Sequence, residues 1–171
     1  GYMFQEPRLM PWLTVKQNVS IVTKQTAEEI SHSEELINEM GLTKYMNSFP
    51  SQLSGGMQRR VAIARAFVNK PKILLLDEPF ISLDLTVANL LRKMLIKLWE
   101  NQKTTIIFVT HDLREAIYLG DRILFLSKGP SQVIHDLKID MKRPRKTEDD
   151  QMEKIRTELI ITYPEILSGK I

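Results

Sequence analysis

Residues 72–79 read KILLLDEP, and the fold turns on this stretch. Four consecutive apolar side chains, Ile73 to Leu76, stand between Pro71 and Pro79 and break the helical period on either side. A short apolar run bounded in this way reads as a strand buried on both faces, the form that strands of parallel sheets take. Asp77 and Glu78 leave the strand at its carboxyl end, which is where open α/β sheets hold their ligands.

Downstream, Leu83, Val87, Leu90, Met94 and Leu98 fall on one stripe, so Leu83 to about Asn101 reads as a long amphipathic helix packed on a sheet. TTIIFVT is a second buried strand, and it ends at His111. The short helix LREAIYL follows, then RILFLS and QVIHDL as an antiparallel edge pair around Gly129-Pro130. Upstream, GYMFQEPRL begins without an initiator methionine, in what reads as the end of an apolar strand, so the chain is expected to be a piece of something longer. A first helix runs from about Val15 to Val22. A second is marked by the capping-box spacing of Ser31 and Glu34, by Ile37 and Met40, and by Gly41 at its end. This order of strands and helices gives an α/β domain with a mainly parallel sheet.

The stretch QLSGGMQRRVAIARAF, residues 52–67, poses its own question, because two glycines behind a serine open a basic helix. Glycine costs roughly 1 kcal/mol against alanine inside a helix. One reading is an ordinary junction in which Ser54 caps the first turn. The other is a phosphate seat, in which bare amides at the positive helix end approach an anion with no Cβ in the way. Val61, Ala62, Ala66 and Phe67 take core positions on this helix, with Arg59, Arg60 and Arg65 around them. Asp77 and Glu78 are likewise open to two readings. They either end a strand before Pro79, or hold Mg²⁺ through water and polarise an attacking water. His111 is either a structural histidine or a polar group aimed at a ligand.

Composition narrows the class. The 171 residues are 43% hydrophobic and 26% charged, which is globular, and a formal charge of +3 is too small for a dedicated nucleic-acid binder. With no cysteine there are no disulfides or thiolate metal sites, which fits a reducing compartment. No apolar run approaches the ~18 residues needed to span a bilayer, and none reads as a signal peptide. Past Asp140, MKRPRKTEDD reads as a polar, charge-dense linker before a terminal helix from Gln151 to Ile161.

Taken in order, Gln5, LSGGM (53–57), ILLLDEP (73–79), SLD (82–84) and a strand ending in His111 resemble the nucleotide-binding domain of ABC transporters from its Q-loop onward, over residues 1–135. The resemblance implies a P-loop NTPase-like sheet, N-terminally truncated. It divides the chain into a helical and signature part (about 7–60), a catalytic core (61–135), and a basic linker with a helix (136–171). It implies ATP and Mg²⁺ as ligands. Gln5 would touch Mg²⁺ and the attacking water, Asp77 would hold Mg²⁺ and Glu78 would be the catalytic base. Ser82 to Asp84 would form the D-loop and His111 the γ-phosphate sensor. Ser54, Gly55, Gly56, Met57 and Gln58 would contact an ATP held by a second subunit, in a two-fold pair with two composite sites. Met57 replaces the more usual glutamine, at a position flanking the phosphate seat, and Ile81 replaces a commoner small residue.

Within the family, FQEPRLMPW, THDLREAIYLGDRI and DMKRPRK look like the nitrate, sulfonate and taurine importer group. That implies an ATPase peripheral to the cytoplasmic face of a membrane. A transmembrane permease would dock at Pro7 to Trp12, where Leu9 and Trp12 supply an apolar cleft, and a solute-binding protein would act indirectly. Nucleic acid is not expected as a partner. A chromosome-maintenance ATPase would need a long coiled coil between Gln5 and the signature, and the intervening sequence has no sustained heptads. No G-x-x-x-x-G-K-S/T occurs in these residues. The chain by itself is therefore expected to be inactive, and the alternative is a truncated, partner-binding module without ATPase activity.

Overall fold

The computed structural model describes residues 1–145 and 150–165. The chain folds as two compact units, Gly1–Val109 and Thr110–Ile171. In the first unit lie β1 (Tyr2–Met3), α1 (Val15–Ser20), α2 (Ala27–Glu39), α3 (Gly55–Phe67), β2 (Ile73–Asp77), α4 (Leu85–Gln102) and β3 (Thr105–Val109). The second holds α5 (Leu113–Leu119), β4 (Arg122–Leu126), β5 (Val133–Lys138) and α6 (Asp150–Thr162).

The first unit is built on a parallel sheet of order β1-β2-β3, so the class is α/β as expected. β1 pairs Tyr2 with Leu75 and Met3 with Leu76, while β2 runs from Ile73 beside Thr105 to Asp77 beside Val109. Parallel neighbours require crossovers; α1 to α3 lie between β1 and β2, and α4 between β2 and β3. Met3, Leu74 and Leu76 are buried on one face, and Ile63, Phe67, Leu91, Leu95 and Leu98 fill the rest of this core.

The other face departs from expectation. Ile73 is 56% exposed and Ile107 54%, with Leu75 and Val109 also open. Successive strand side chains point to opposite faces, and the described residues of this unit cover only the Leu74 and Leu76 side. The apolar run was therefore a correct sign of a parallel strand, but not of burial on both faces within this chain.

Two helices differ in detail. The second starts earlier than Ser31, because Thr26 and Glu29 form the capping box: the Glu29 amide donates to Thr26 Oγ1 at 3.3 Å and the Thr26 amide to Glu29 Oε2 at 3.2 Å. Ser31 and Glu34 share that spacing but lie inside the helix, where the backbone donors are already used. Gly41 ends it as expected, at φ 66°, with the Gly41 amide bonded to Asn38 O and the Leu42 amide to Ile37 O. On α4 the buried stripe is Ala88, Leu91, Arg92, Leu95 and Leu98, in place of Leu83, Val87, Leu90 and Met94. Asp84 caps this helix, which leaves Leu83 outside it. A helix rich in leucine offers two neighbouring stripes, and the sheet selects between them.

In the second unit, β4 and β5 pair antiparallel, Arg122 beside Lys138 and Ile123 beside Leu137. The basic segment is not a solvated linker over 141–145. Arg145 is buried and donates to the carbonyls of Ile117 at 2.7 Å and Met141 at 3.1 Å, and Arg143 bonds Asp121 at 2.8 Å and the Leu119 carbonyl. These cations satisfy carbonyls left over at the end of α5. Desolvation first, then the Arg143 charge, lowers the Arg145 pKa, and Asp121 opposes them. Positions 146–149 of the expected linker, and 166–171 of the C-terminal segment, lie outside the described residues.

Candidate functional site

The N-terminus of α3 answers part of the Ser-Gly-Gly question. Ser54 is its N-cap, with Oγ accepting from the Met57 amide at 3.3 Å. The two glycines have different reasons. A Cβ on Gly56 would lie 2.8 Å from Val87 Cγ1, so Gly56 lets the first turns of α3 and α4 meet. A Cβ on Gly55 would meet nothing within 4 Å. Packing against a Cβ gives Gly55 no cause to be glycine, and both it and Ser54 are exposed. Met57 and Gln58 are half-buried. The Gln58 side-chain amide donates back to Pro50 O at 3.0 Å and Leu53 O at 3.4 Å, bracing the loop before the helix.

At the carboxyl end of β2, Asp77 closes the strand beside Val109, and the Glu78 amide donates to Val109 O at 3.0 Å. Glu78 has φ 43° and Ser82 φ 60°, both in the left-handed region that costs an L-residue roughly 1–2 kcal/mol. Strain of this kind persists where surrounding bonds over-determine it, and it clusters at functional sites. The turn is closed by the Ile81 amide on Glu78 O at 3.2 Å, after which Asp84 Oδ1 accepts from the Val87 amide at 2.9 Å and starts α4. The β1 pairing ends at Met3 beside Leu76, two residues before Gln5 on one strand and Glu78 on the other.

Two arginines that the sequence placed merely around the core hold these loops. Arg59 Nη1 donates to Gln5 O at 2.9 Å and Pro79 O at 3.1 Å, and Nη2 to Ile81 O at 2.8 Å. Arg65 reaches Pro7 O at 2.7 Å and Arg8 O at 3.0 Å. Desolvation lowers the pKa of both. For Arg59 the signal was present, because it heads the i, i+3, i+4, i+7 stripe that continues through Ala62, Ile63 and Ala66. Asn18 was missed in the same way. It is fully buried between Val15 and Val19, accepting from the Met10 amide at 2.8 Å and donating to Met10 O, Leu13 O and Thr14 O. This staple shapes the Pro7 to Trp12 loop and leaves Trp12 70% exposed.

The first unit thus places Gln5 just after β1 and Asp77 and Glu78 at the end of β2, with Ser54 to Gln58 opening α3 and Asp84 opening α4. His111 lies at the start of the second unit, exposed, next to Asp112, which caps α5 by accepting from the Arg114 amide at 2.8 Å. Among the described residues no three carboxylates or histidines cluster to hold a metal. A single strand-end carboxylate is nonetheless a fitting donor for Mg²⁺ that arrives on nucleotide phosphates and keeps several waters.

A family model described as ABC transporter matches residues 1–81. The chain is 41% identical over 174 residues to an uncharacterized ABC transporter ATP-binding protein of Methanocaldococcus jannaschii, covering 99% of this chain and 65% of that one. It is 41% identical over 160 residues to an aliphatic sulfonates import ATP-binding protein of Pseudomonas syringae pv. tomato, covering 94% of this chain and 68% of that one. A dimeric ATP-binding cassette solved in a post-hydrolysis state with ADP and Pi superposes with a TM-score of 0.70 at 35% identity, covering 83% of this chain and 63% of that one. The chain spans about two thirds of the length of these relatives.

Proposed function

This chain belongs to the ABC transporter ATP-binding family, and we propose on that premise that it serves ATP hydrolysis at a composite site between two such subunits, driving import of a small solute. The observation that carries this reading is the corner after β2. A carboxylate on a strained, left-handed residue follows a parallel strand directly, and the carbonyl of the next residue, Pro79, shares Arg59 Nη1 with the Gln5 carbonyl. In this role Glu78 accepts the proton of the attacking water, Gln5 orients that water, and Asp77 holds the Mg²⁺ of the Mg-ATP substrate. Ser54 and the Gly55 amide receive the γ-phosphate of the nucleotide bound to the partner subunit, with Met57 and Gln58 flanking. Asp84 lines the same interface, and His111 takes the role of γ-phosphate sensor.

The solute is a sulfonate or a related small oxyanion, of the nitrate or taurine type. Support comes from the likeness to the Pseudomonas aliphatic sulfonates import ATP-binding protein and from FQEPRLMPW and DMKRPRK. A permease helix docks at the Pro7 to Trp12 loop, against the exposed Trp12. No described helix is long and apolar enough to cross a membrane, so in this reading the permease supplies the span and this subunit sits peripherally on its cytoplasmic face. Loss of growth on an alkanesulfonate as sole sulfur source after disruption of the gene supports this solute class, and unimpaired growth removes it.

The proposal is tested by Glu78→Gln in the protein as its gene encodes it. ATP binding is retained while turnover falls about 10²- to 10⁴-fold, the usual cost of losing a general base. Turnover within a few-fold of wild type takes Glu78 out of this role. The 171 residues alone, lacking a P-loop sequence, bind Mg-ATP too weakly for saturation and do not hydrolyse it. Saturable micromolar binding in a calorimetric titration would place the nucleotide elsewhere.

A further inference from the structure

The β1 and β2 strands part company at the point where the chemistry begins. Their register ends at Met3 and Leu76, two residues short of Gln5 and Glu78. Beyond it, one side chain bridges the two segments. Arg59 Nη1 is shared between Gln5 O at 2.9 Å and Pro79 O at 3.1 Å, while Nη2 bonds Ile81 O at 2.8 Å. Only a planar fork with several donors can reach three carbonyls on two segments at once, and a lysine ammonium lacks that span. Arg65, one and a half turns further along α3, reaches Pro7 and Arg8 on the first segment.

We propose that Arg59 is a positioning residue for hydrolysis, locking the main chain at Gln5 to the turn after Glu78 so that the two side chains face the nucleotide in fixed register. This rests on the roles given above to Gln5 and Glu78. Because Arg59 lies on the same helix as Ser54 and Gly55, it also fixes the distance between the seat for the partner's phosphate and the carboxylate corner. Arg59 acts through these main-chain bonds, its terminal nitrogens being given to the carbonyls of Gln5, Pro79 and Ile81. The strained φ of Glu78 is held from one side by Val109 O on its amide and from the other by the Arg59 bonds to the carbonyls of Pro79 and Ile81.

The test compares Arg59→Gln, Arg59→Lys and Glu78→Gln in the protein as its gene encodes it, by steady-state ATPase kinetics and amide hydrogen exchange. Misplacing a catalytic group by about 1 Å costs on the order of 10²-fold, so Arg59→Gln lowers kcat by about 10- to 100-fold. KM for Mg-ATP stays within about threefold, because the nucleotide contacts are untouched. Exchange rises together in the segments around 4–8 and 79–83, and Arg59→Lys recovers part of both effects. In a Glu78→Gln background, Arg59→Gln removes no more than about twofold further, since both changes act on one step.

A kcat within about twofold of wild type, loosening of one segment alone, or a full additional loss in the Glu78→Gln background each overturns the inference. If Arg59→Gln does not fold, Arg59→Lys carries the same readouts. Undiminished turnover in Glu78→Gln alone sinks the functional reading and this inference with it; a slow Glu78→Gln beside a normal Arg59→Gln sinks this inference only.

Discussion

The first turn of α3 and the corner after β2 lie in one unit and are built in opposite ways. At the corner the main chain is tied down: Glu78 is bonded to Val109, Ile81 closes onto it, and Arg59 holds Pro79 and Ile81. At the helix end Ser54 caps its own turn, and a Cβ on the exposed Gly55 would meet nothing within 4 Å. On the proposed reading the difference matches where each residue acts. Glu78, proposed to act on a ligand held by its own subunit, is pinned by its own chain even at the cost of strain. Gly55, proposed to act on a nucleotide brought by another molecule, is left exposed.

This contrast can be broken at its pinned side first. Glu78→Gly relieves the left-handed strain, so thermal or chemical unfolding should show stability unchanged or raised by up to about 1 kcal/mol. Turnover of the same variant falls about 10²- to 10⁴-fold, equivalent to roughly 3 to 5 kcal/mol. Loss of stability in parallel with activity would make Glu78 a structural residue instead. Gly56→Ala comes next. The added methyl meets Val87 Cγ1 at 2.8 Å, and overpacking of this kind costs about 1 to 3 kcal/mol by denaturant titration. Gly55→Ala has the smallest effect on the fold. With open space at the site and alanine the better helix former, stability holds or rises by up to about 1 kcal/mol, while ATP-driven dimerisation and turnover weaken. A Gly55→Ala protein with full turnover would mean that nothing docks at this turn.

Much of this was legible in the sequence because the signals were local. Ser54, Gly41 and the apolar run Ile73 to Leu76 each act within a few residues, and a cap, a left-handed helix end and a strand follow from them directly. What stayed hidden depends on neighbours. The face of β2 that lies open, and the choice of Leu91 and Leu95 over Leu90 and Met94, are decided by what packs where. The two boxes at Thr26 and Ser31 have equal spacing, and only the true helix start separates them. For the site, the residue types near the strand ends could be read in order. The polar groups that position them, half-buried Arg59 and Arg65 and buried Asn18, were harder to read, because a helical stripe can place such a residue on the inner face but does not name the loop carbonyls and amides it will bond.

The central claim is that Ser54 and Gly55 serve a nucleotide carried by a second copy. Gel filtration of the hydrolysis-slow Glu78→Gln protein with and without Mg-ATP, beside the Glu78→Gln, Ser54→Arg double variant, tests it most directly. The account predicts an ATP-dependent dimer for the first, and for the second a folded monomer that still binds ATP but does not dimerise. An ATP-dependent dimer of undiminished amount in the double variant would contradict it.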